Sequence, residues 1–151
     1  MEPELRTTFG VGSHGRTWLK AAGNTVLTED LLAIRGSVVI DSRDGYVDNL
    51  TTGKEPDDRD LKAFNVAALY TPSDTLAVLL KGDYQKDERL EKPISHLKSV
   101  AGSGIDPTLF GAQTSNNDAS KVYNDSDRFQ EATFWGANAT LTWDLGTATV
   151  K

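Results

Sequence analysis

The chain has no cysteine. Disulfides, Cys-based zinc sites and thiol nucleophiles are therefore excluded. No run of about 18 apolar residues occurs, so no segment reads as a membrane-spanning helix. Residues 1–20 lack the basic start and apolar block of a secretory signal. Such a chain is either cytosolic or a piece whose targeting segment lies elsewhere. Basic residues are outnumbered: 16 Lys and Arg stand against 22 Asp and Glu, for a formal net charge of -6. Without a basic cluster to line up on phosphates, nucleic acid is not an expected partner. No internal repeat is found. The 151 residues are enough for one ordinary domain. The mean hydropathy of -0.42 suits either a soluble protein or a barrel whose apolar residues alternate with polar ones.

What the sequence does have is period two. In "LLAIRGSVVID", Leu32, Ile34, Gly36, Val38 and Ile40 fall on one face, and Ala33, Arg35, Ser37, Val39 and Asp41 on the other. "LKAFNVAALY" sets Phe64, Val66, Ala68 and Tyr70 against Ala63, Asn65, Ala67 and Leu69. "TLAVLLKGDYQ" sets Leu76, Val78, Leu80, Gly82 and Tyr84 against Ala77, Leu79, Lys81, Asp83 and Gln85. "ATFWGANATLTW" sets Trp135, Ala137, Ala139, Leu141 and Trp143 against Phe134, Gly136, Asn138, Thr140 and Thr142. Side chains alternate across a strand, so these are strands of a two-faced sheet. The pattern predicts an all-β antiparallel meander of about six strands, near 4–12, 16–27, 31–43, 60–71, 75–86 and 129–144, with no parallel pair. Leu32, Ile34, Val38, Phe64, Val66, Leu76, Val78 and Leu80 are expected on one side.

These strands exceed the usual length and suit a tilted passage through a bilayer. Their connections alternate. The turns at 27–30, 71–75 and 144–147 are short. The stretches 42–60 and 86–127 are long and polar, and share a rim with the turn at 12–15. Short turns on one rim and long loops on the other is the layout of an outer-membrane barrel. Tyr70 and Trp143 at the short-turn end, and Tyr84 near the long-loop end, fit interfacial aromatic girdles. Aromatics are also common in strands that pack a soluble core. Segment 86–127 is expected to be the least ordered part, and Pro93–Val100 and Pro107–Phe110 are compatible with short helical turns.

The run "LLAIRGSVVIDSRDGYVDNLTTGKEPDDRDLKAFNVAALYTPSDTLAVLLKGDYQKDE" resembles the early barrel region of TonB-dependent receptors. In that family a loop like Arg43-Asp44-Gly45-Tyr46-Val47-Asp48-Asn49 leaves one strand, a return like Asp57-Asp58-Arg59-Asp60 starts the next, and a turn like Pro72-Ser73-Asp74-Thr75 precedes a strand ending in Asp83-Tyr84. "GVGSHGRTWLKAAGNTVLTEDLLAIRGS" is similar to the family's first hairpin and its link to the third strand. The likeness is strongest over about 9–85 and returns at 128–145. It implies a plugged 22-stranded barrel that imports a scarce solute, of the siderophore, cobalamin or saccharide class, by TonB-coupled energy. Residues 1–151 would then be a partial barrel, an open segment without the plug domain or the remaining strands. Its implied partners are outer-membrane lipid, the plug of the same protein, TonB through the plug region, and the small solute. Arg35, Asp41, Lys81, Asp83 and Gln85 would face the lumen. There they would meet plug or solute, or merely solvate the lumen and pair with one another.

Enzyme motifs are weak. Gly10-Val11-Gly12-Ser13-His14-Gly15 matches G-x-G-x-x-G literally. A dinucleotide loop needs a buried parallel strand before it and a helix after it. "LRTTF" alternates with Arg6 and Thr8, and "RTWLKAAGNTVL" allows about two helical turns before Gly23. An acid at the right distance, Glu29 or Asp30, falls in a turn signal. A tight turn at Ser13–Gly15 fits better. Ser95-His96-Leu97-Lys98 is an S-x-x-K without its companion elements. His14 and His96 have no paired ligand spacing, and Asp57, Asp58 and Asp60 lack the glycine and glutamate of a calcium loop. The reading is therefore a transporter segment in the outer membrane, not an enzyme, with no cofactor and no metal. The rival is a soluble antiparallel β binding module.

Overall fold

The structure, a computed structural model, describes residues 2–91, 120–122 and 126–151. The S-x-x-K motif, His96 and the stretches 93–100 and 107–110 lie outside the described residues. Strands β1 (Glu4–Val11), β2 (Thr17–Thr28), β3 (Leu32–Arg43), β5 (Arg59–Ser73), β6 (Leu76–Leu90), β8 (Phe129–Asp144) and β9 (Thr149–Val150) form one seven-stranded sheet in that order. Every neighbouring pair in it is antiparallel. The described residues contain no helix. The sheet is not closed: β1 and β9 are its edges, and β9 covers only Trp143 and Asp144 of β8. This is the expected open, up-and-down meander.

The opening glycine motif resolves at once. Gly12 N donates to the Arg16 carbonyl at 2.8 Å, closing a β1–β2 hairpin. His14 and Gly15 take positive φ values of 55° and 61°, the left-handed pair that such turns use. At the opposite rim, β2–β3 turns through Asp30, and Leu145 N donates to the Ala148 carbonyl in the β8–β9 turn. Pro72 sits in the register shift between Tyr70 and Ser73, where a missing N–H breaks no regular ladder.

Register fixes the faces, because directly paired residues share one. The row Val38–Phe64–Tyr84–Trp135 crosses β3, β5, β6 and β8, and Phe64 stacks on Tyr84 at 5.1 Å. The rows Ile34–Ala68–Leu80–Ala139 and Leu32–Tyr70–Val78–Leu141 lie parallel to it, with Leu76–Trp143 beyond. All eight residues expected on one side are there. No second layer covers them among the described residues: Trp135 is 79% exposed and Phe9 67%. From Trp143 to Trp135 the apolar band takes up about 27 Å of strand at the ordinary rise per residue.

One strand is clearly longer than its pattern suggests. β6 runs to Leu90 rather than Gln85 or Lys86, still paired with β8 as far as Leu90↔Phe129. Past the apolar band both faces turn polar. Lys86 and Glu88 point the same way as Tyr84, so alternation no longer marks the strand. Segment 86–127 therefore starts as strand, not loop.

A second departure lies in the long loops. β4 (Asp48–Asn49) and β7 (Lys121–Val122) pair in parallel, which the meander did not anticipate. The pair sits outside the main sheet and ties loop 44–58 to the segment before β8. Val47 (1% exposed) and Val122 (4%) are the buried hydrophobic side chains of the described structure, and Pro56 is buried with them. The polar loops thus carry the small core, and the strands carry almost none.

Candidate functional site

Arg35, Lys81, Asp83 and Gln85 all project from the polar face, opposite the apolar band. Arg35 pairs with Ala67, and Ala67 with Lys81, so the two cations flank a small residue across three strands. Asn24 and Asn138 extend this row on either side. The next row holds Ser37, Asn65 and Asp83, with Asn65 Nδ2 donating to Ser37 Oγ at 3.4 Å. Arg35, Ser37, Asn65, Ala67, Lys81 and Asp83 line a shallow concavity of about 160 Å³. Gln85 stands a row further on, beside Ala63 and Phe134.

Asp41 is on this face but is not free to meet a ligand. It is 7% exposed. Arg16, from the β1–β2 turn, clasps it with both ends of its guanidinium, Nε to Oδ1 at 3.0 Å and Nη2 to Oδ2 at 2.9 Å. Arg59 approaches the same carboxylate at 3.7 Å. A bidentate arginine on a covered carboxylate is a geometric lock. Arg16 also lies over the Trp18 ring at 5.1 Å. That ring occupies the space above its partner Gly10, where any Cβ would collide with it. The glycine of the hairpin therefore serves ring packing, not phosphate approach.

The rest of the long-loop end is arginine-rich and paired. Arg43 Nη2 reaches Asp57 Oδ1 at 3.5 Å and its guanidinium covers Tyr46 at 4.5 Å. A hydrogen bond to Asp57 holds the Tyr46 hydroxyl above its usual pKa, helped by the nearby negative charge. Arg89 pairs with Asp87. Asp58 accepts from the Leu90 backbone N–H, and Asp60 pairs with Lys62 at 2.9 Å. The acidic trio at 57–60 is thus spent on local pairing, and the described residues hold no group of His, Cys, Asp or Glu fit for a metal ion.

Above this end, Asn49 (2% exposed) organises the loop cap. Its Nδ2 donates to Asp127 Oδ1 at 3.0 Å, and its Oδ1 accepts from Thr51 N at 3.1 Å. Asp127 also receives Thr52 Oγ1 at 3.1 Å and Lys54 Nζ at 3.2 Å. Burial pushes the Asp127 pKa up. The bonds from Asn49, Lys54 and Thr52 outweigh that and leave it below its ordinary value. Gly45 is required here, since a Cβ would lie 1.8 Å from the Glu55 carbonyl oxygen. The sequence patterns place Asn49 and Arg59 only within loop segments, assign them no contact, and do not single out Arg16 or Asp127. Asn49 and Asp127 are separated by 78 positions, and no periodic signal links them. Arg59 alone was within reach, because extending the alternation of β5 by one residue places it on the polar face.

Comparison with family models, with curated proteins and with solved structures finds no match.

Proposed function

We propose that this chain is part of the wall of a TonB-dependent outer-membrane transporter, with lipid against the apolar face and the solute path along the polar one. One observation carries the reading. A single sheet presents a charge-free apolar band, uncovered among the described residues and with aromatics at both ends, back to back with a polar face, and only one rim bears the long connections 44–58 and 91–128. A band of this kind about 25 Å tall, with girdles at both interfaces, is what a barrel strand shows to lipid. A soluble module would bury that face under a second layer. The open edges at β1 and β8 take further strands in this reading, and a plug and its coupling to TonB belong to parts of the protein outside this sheet.

The three tryptophans test it. Trp135 and Trp143 sit on the apolar face at its two ends, whereas Trp18 lies on the polar face. In single-tryptophan variants reconstituted into brominated-lipid vesicles, Trp135 and Trp143 should be quenched and Trp18 should not. Equal quenching of all three, or of none, rejects the lipid-facing assignment and favours the soluble β module.

A further inference from the structure

We propose that the concavity between Arg35 and Lys81 binds a small anion through a carboxylate or phosphate group. The chain as a whole is acidic, yet its charge is segregated. Between the Trp135 and Trp143 rows, the polar face carries Arg6, Arg35 and Lys81 against Glu4 and Asp83. Arg6 is already within 4.0 Å of Glu4. At the long-loop end four arginines of this face have carboxylate partners: Arg16 and Arg59 share Asp41, Arg43 has Asp57 and Arg89 has Asp87. Arg35 and Lys81 have no ion-pair partner among the described residues.

Their placement makes them a pair. Each is one strand removed from Ala67, so their backbones stand about 10 Å apart at ordinary strand spacing. Ala67 between them is too short to fill the gap, and the two long side chains can lean in over it from either side. Ser37, Asn65 and Asn138 add neutral hydrogen-bonding groups around the rim. The acid that lines the concavity leans toward its far side. Asp83 lies over Gly136 of β8, so close that a Cβ there would be 2.9 Å from its Oδ1, on the side away from β3 and Arg35. Glycine at 136 thus lets the carboxylate of Asp83, which itself lines the concavity, lean toward β8 rather than toward Arg35. An arginine fork and an ammonium facing each other suit the several acceptor oxygens of a carboxylate or phosphate.

That the anion belongs to an imported solute rests on the transporter reading; the cradle itself does not. The test uses the full chain in detergent or lipid, with inorganic phosphate and citrate as probes and a neutral sugar as control. The readout is the rate of Lys81 acetylation by an amine-directed reagent, with Lys62 on the opposite face as internal reference. Phosphate or citrate should protect Lys81 and leave Lys62 unchanged, and rising salt should weaken the protection. Loss of one charged donor in Arg35→Gln should weaken that protection about tenfold. Arg35→Lys, which keeps the charge, should retain most of it and shows that the fold survives exchange at this position. Equal acetylation with and without anion, or full protection in Arg35→Gln, overturns the proposal.

Zero-length carbodiimide coupling on protein in native membranes separates the two sources of the anion. A Lys81 cross-link to an acidic residue outside this sheet identifies a protein carboxylate as the occupant. A free Lys81 that added anion protects identifies a solute. A Lys81–Asp83 cross-link as the sole product overturns the proposal, because the cradle would then be filled from within. Protection of Lys81 without lipid quenching of Trp135 and Trp143 retires the transporter reading and leaves the cradle standing; quenching without protection does the reverse.

Discussion

Asn49 shows how much one side chain can hold in a protein with little core. It joins the turn at 51–52 to Asp127, and the backbone around it is pinned by Asp48 N to the Ser120 carbonyl at 2.7 Å and Leu50 N to the Val122 carbonyl at 2.9 Å. Asn49→Ala would leave Asp127 short of a donor in a covered place, at a cost of about 1–3 kcal/mol. The expected result is faster protease cleavage within 48–57 while the sheet keeps its β circular dichroism. Asp127 adds a pH dependence. Its native pKa is depressed, so its contribution is fully present above its ordinary value of 3.8 and is lost as the pH falls through the lower native value. Hydrogen exchange at Asp48 and Leu50, corrected for intrinsic rates, should accelerate in the acid range below 3.8 while the central strands stay protected. Unchanged protection there would show that the cap does not depend on this carboxylate.

At the scale of an element, each strand is a boundary between two environments, and the cost of a charge depends on which side receives it. Leu80 lies mid-band on the apolar face, paired with Ala68 and Ala139. Leu79, its neighbour, points to the polar face and pairs with Leu69 and Thr140. If the apolar face meets lipid as proposed, Leu80→Arg should destabilise the protein in vesicles by about 2–4 kcal/mol, the range for a cation near the bilayer midplane of a barrel. Leu79→Arg should cost much less. Urea titrations of both variants in lipid vesicles check this, and equal losses would mean that both faces are dry. The charged rows beyond the band fit the same logic. Lys62 faces Lys86 directly, a repulsive pairing in a sheet. The next row of acids relieves it: Lys62 meets Asp60, and Lys86 meets Glu88 at 3.0 Å and Glu131 at 3.2 Å.

At the scale of the whole molecule, the main sheet has two bare edges and one bare apolar face among the described residues. β9 is two residues long, so among the described residues the outer edge of β8 from Phe129 to Leu141 has no partner strand, and Phe134 and Trp135 beside it are 60% and 79% exposed. Edges of this length are templates for other chains, and apolar patches of this extent seek cover. The isolated chain should therefore sediment as aggregates in plain buffer and become monodisperse in detergent, as analytical ultracentrifugation would show. A monomer that melts cooperatively without detergent would contradict this and promote the soluble β module. The loop cap should survive either way, since its buried Val47, Val122 and Pro56 do not depend on the bare face.

The chain's sequence determined the strands, their order and their faces. Alternation of apolar and polar residues is a local property, and a one-residue slip would turn every side chain to the wrong side, so the faces of β3, β5, β6 and β8 are already written in the sequence, while the pairing of Val38, Phe64, Tyr84 and Trp135 in one row is set by the structure. The same reasoning brought Arg35 and Lys81 to one face and marked 13–15 as a turn. It lost β6 beyond Lys86 because alternation vanishes once both faces meet water. Tertiary structure alone decided what the loops do. The bond between Asn49 and Asp127, the parallel strand pair beneath it and the clasp of Arg16 on Asp41 join residues far apart in the chain. Each depends on the sheet first bringing the strand ends together, and no periodicity records a contact that only that arrival creates.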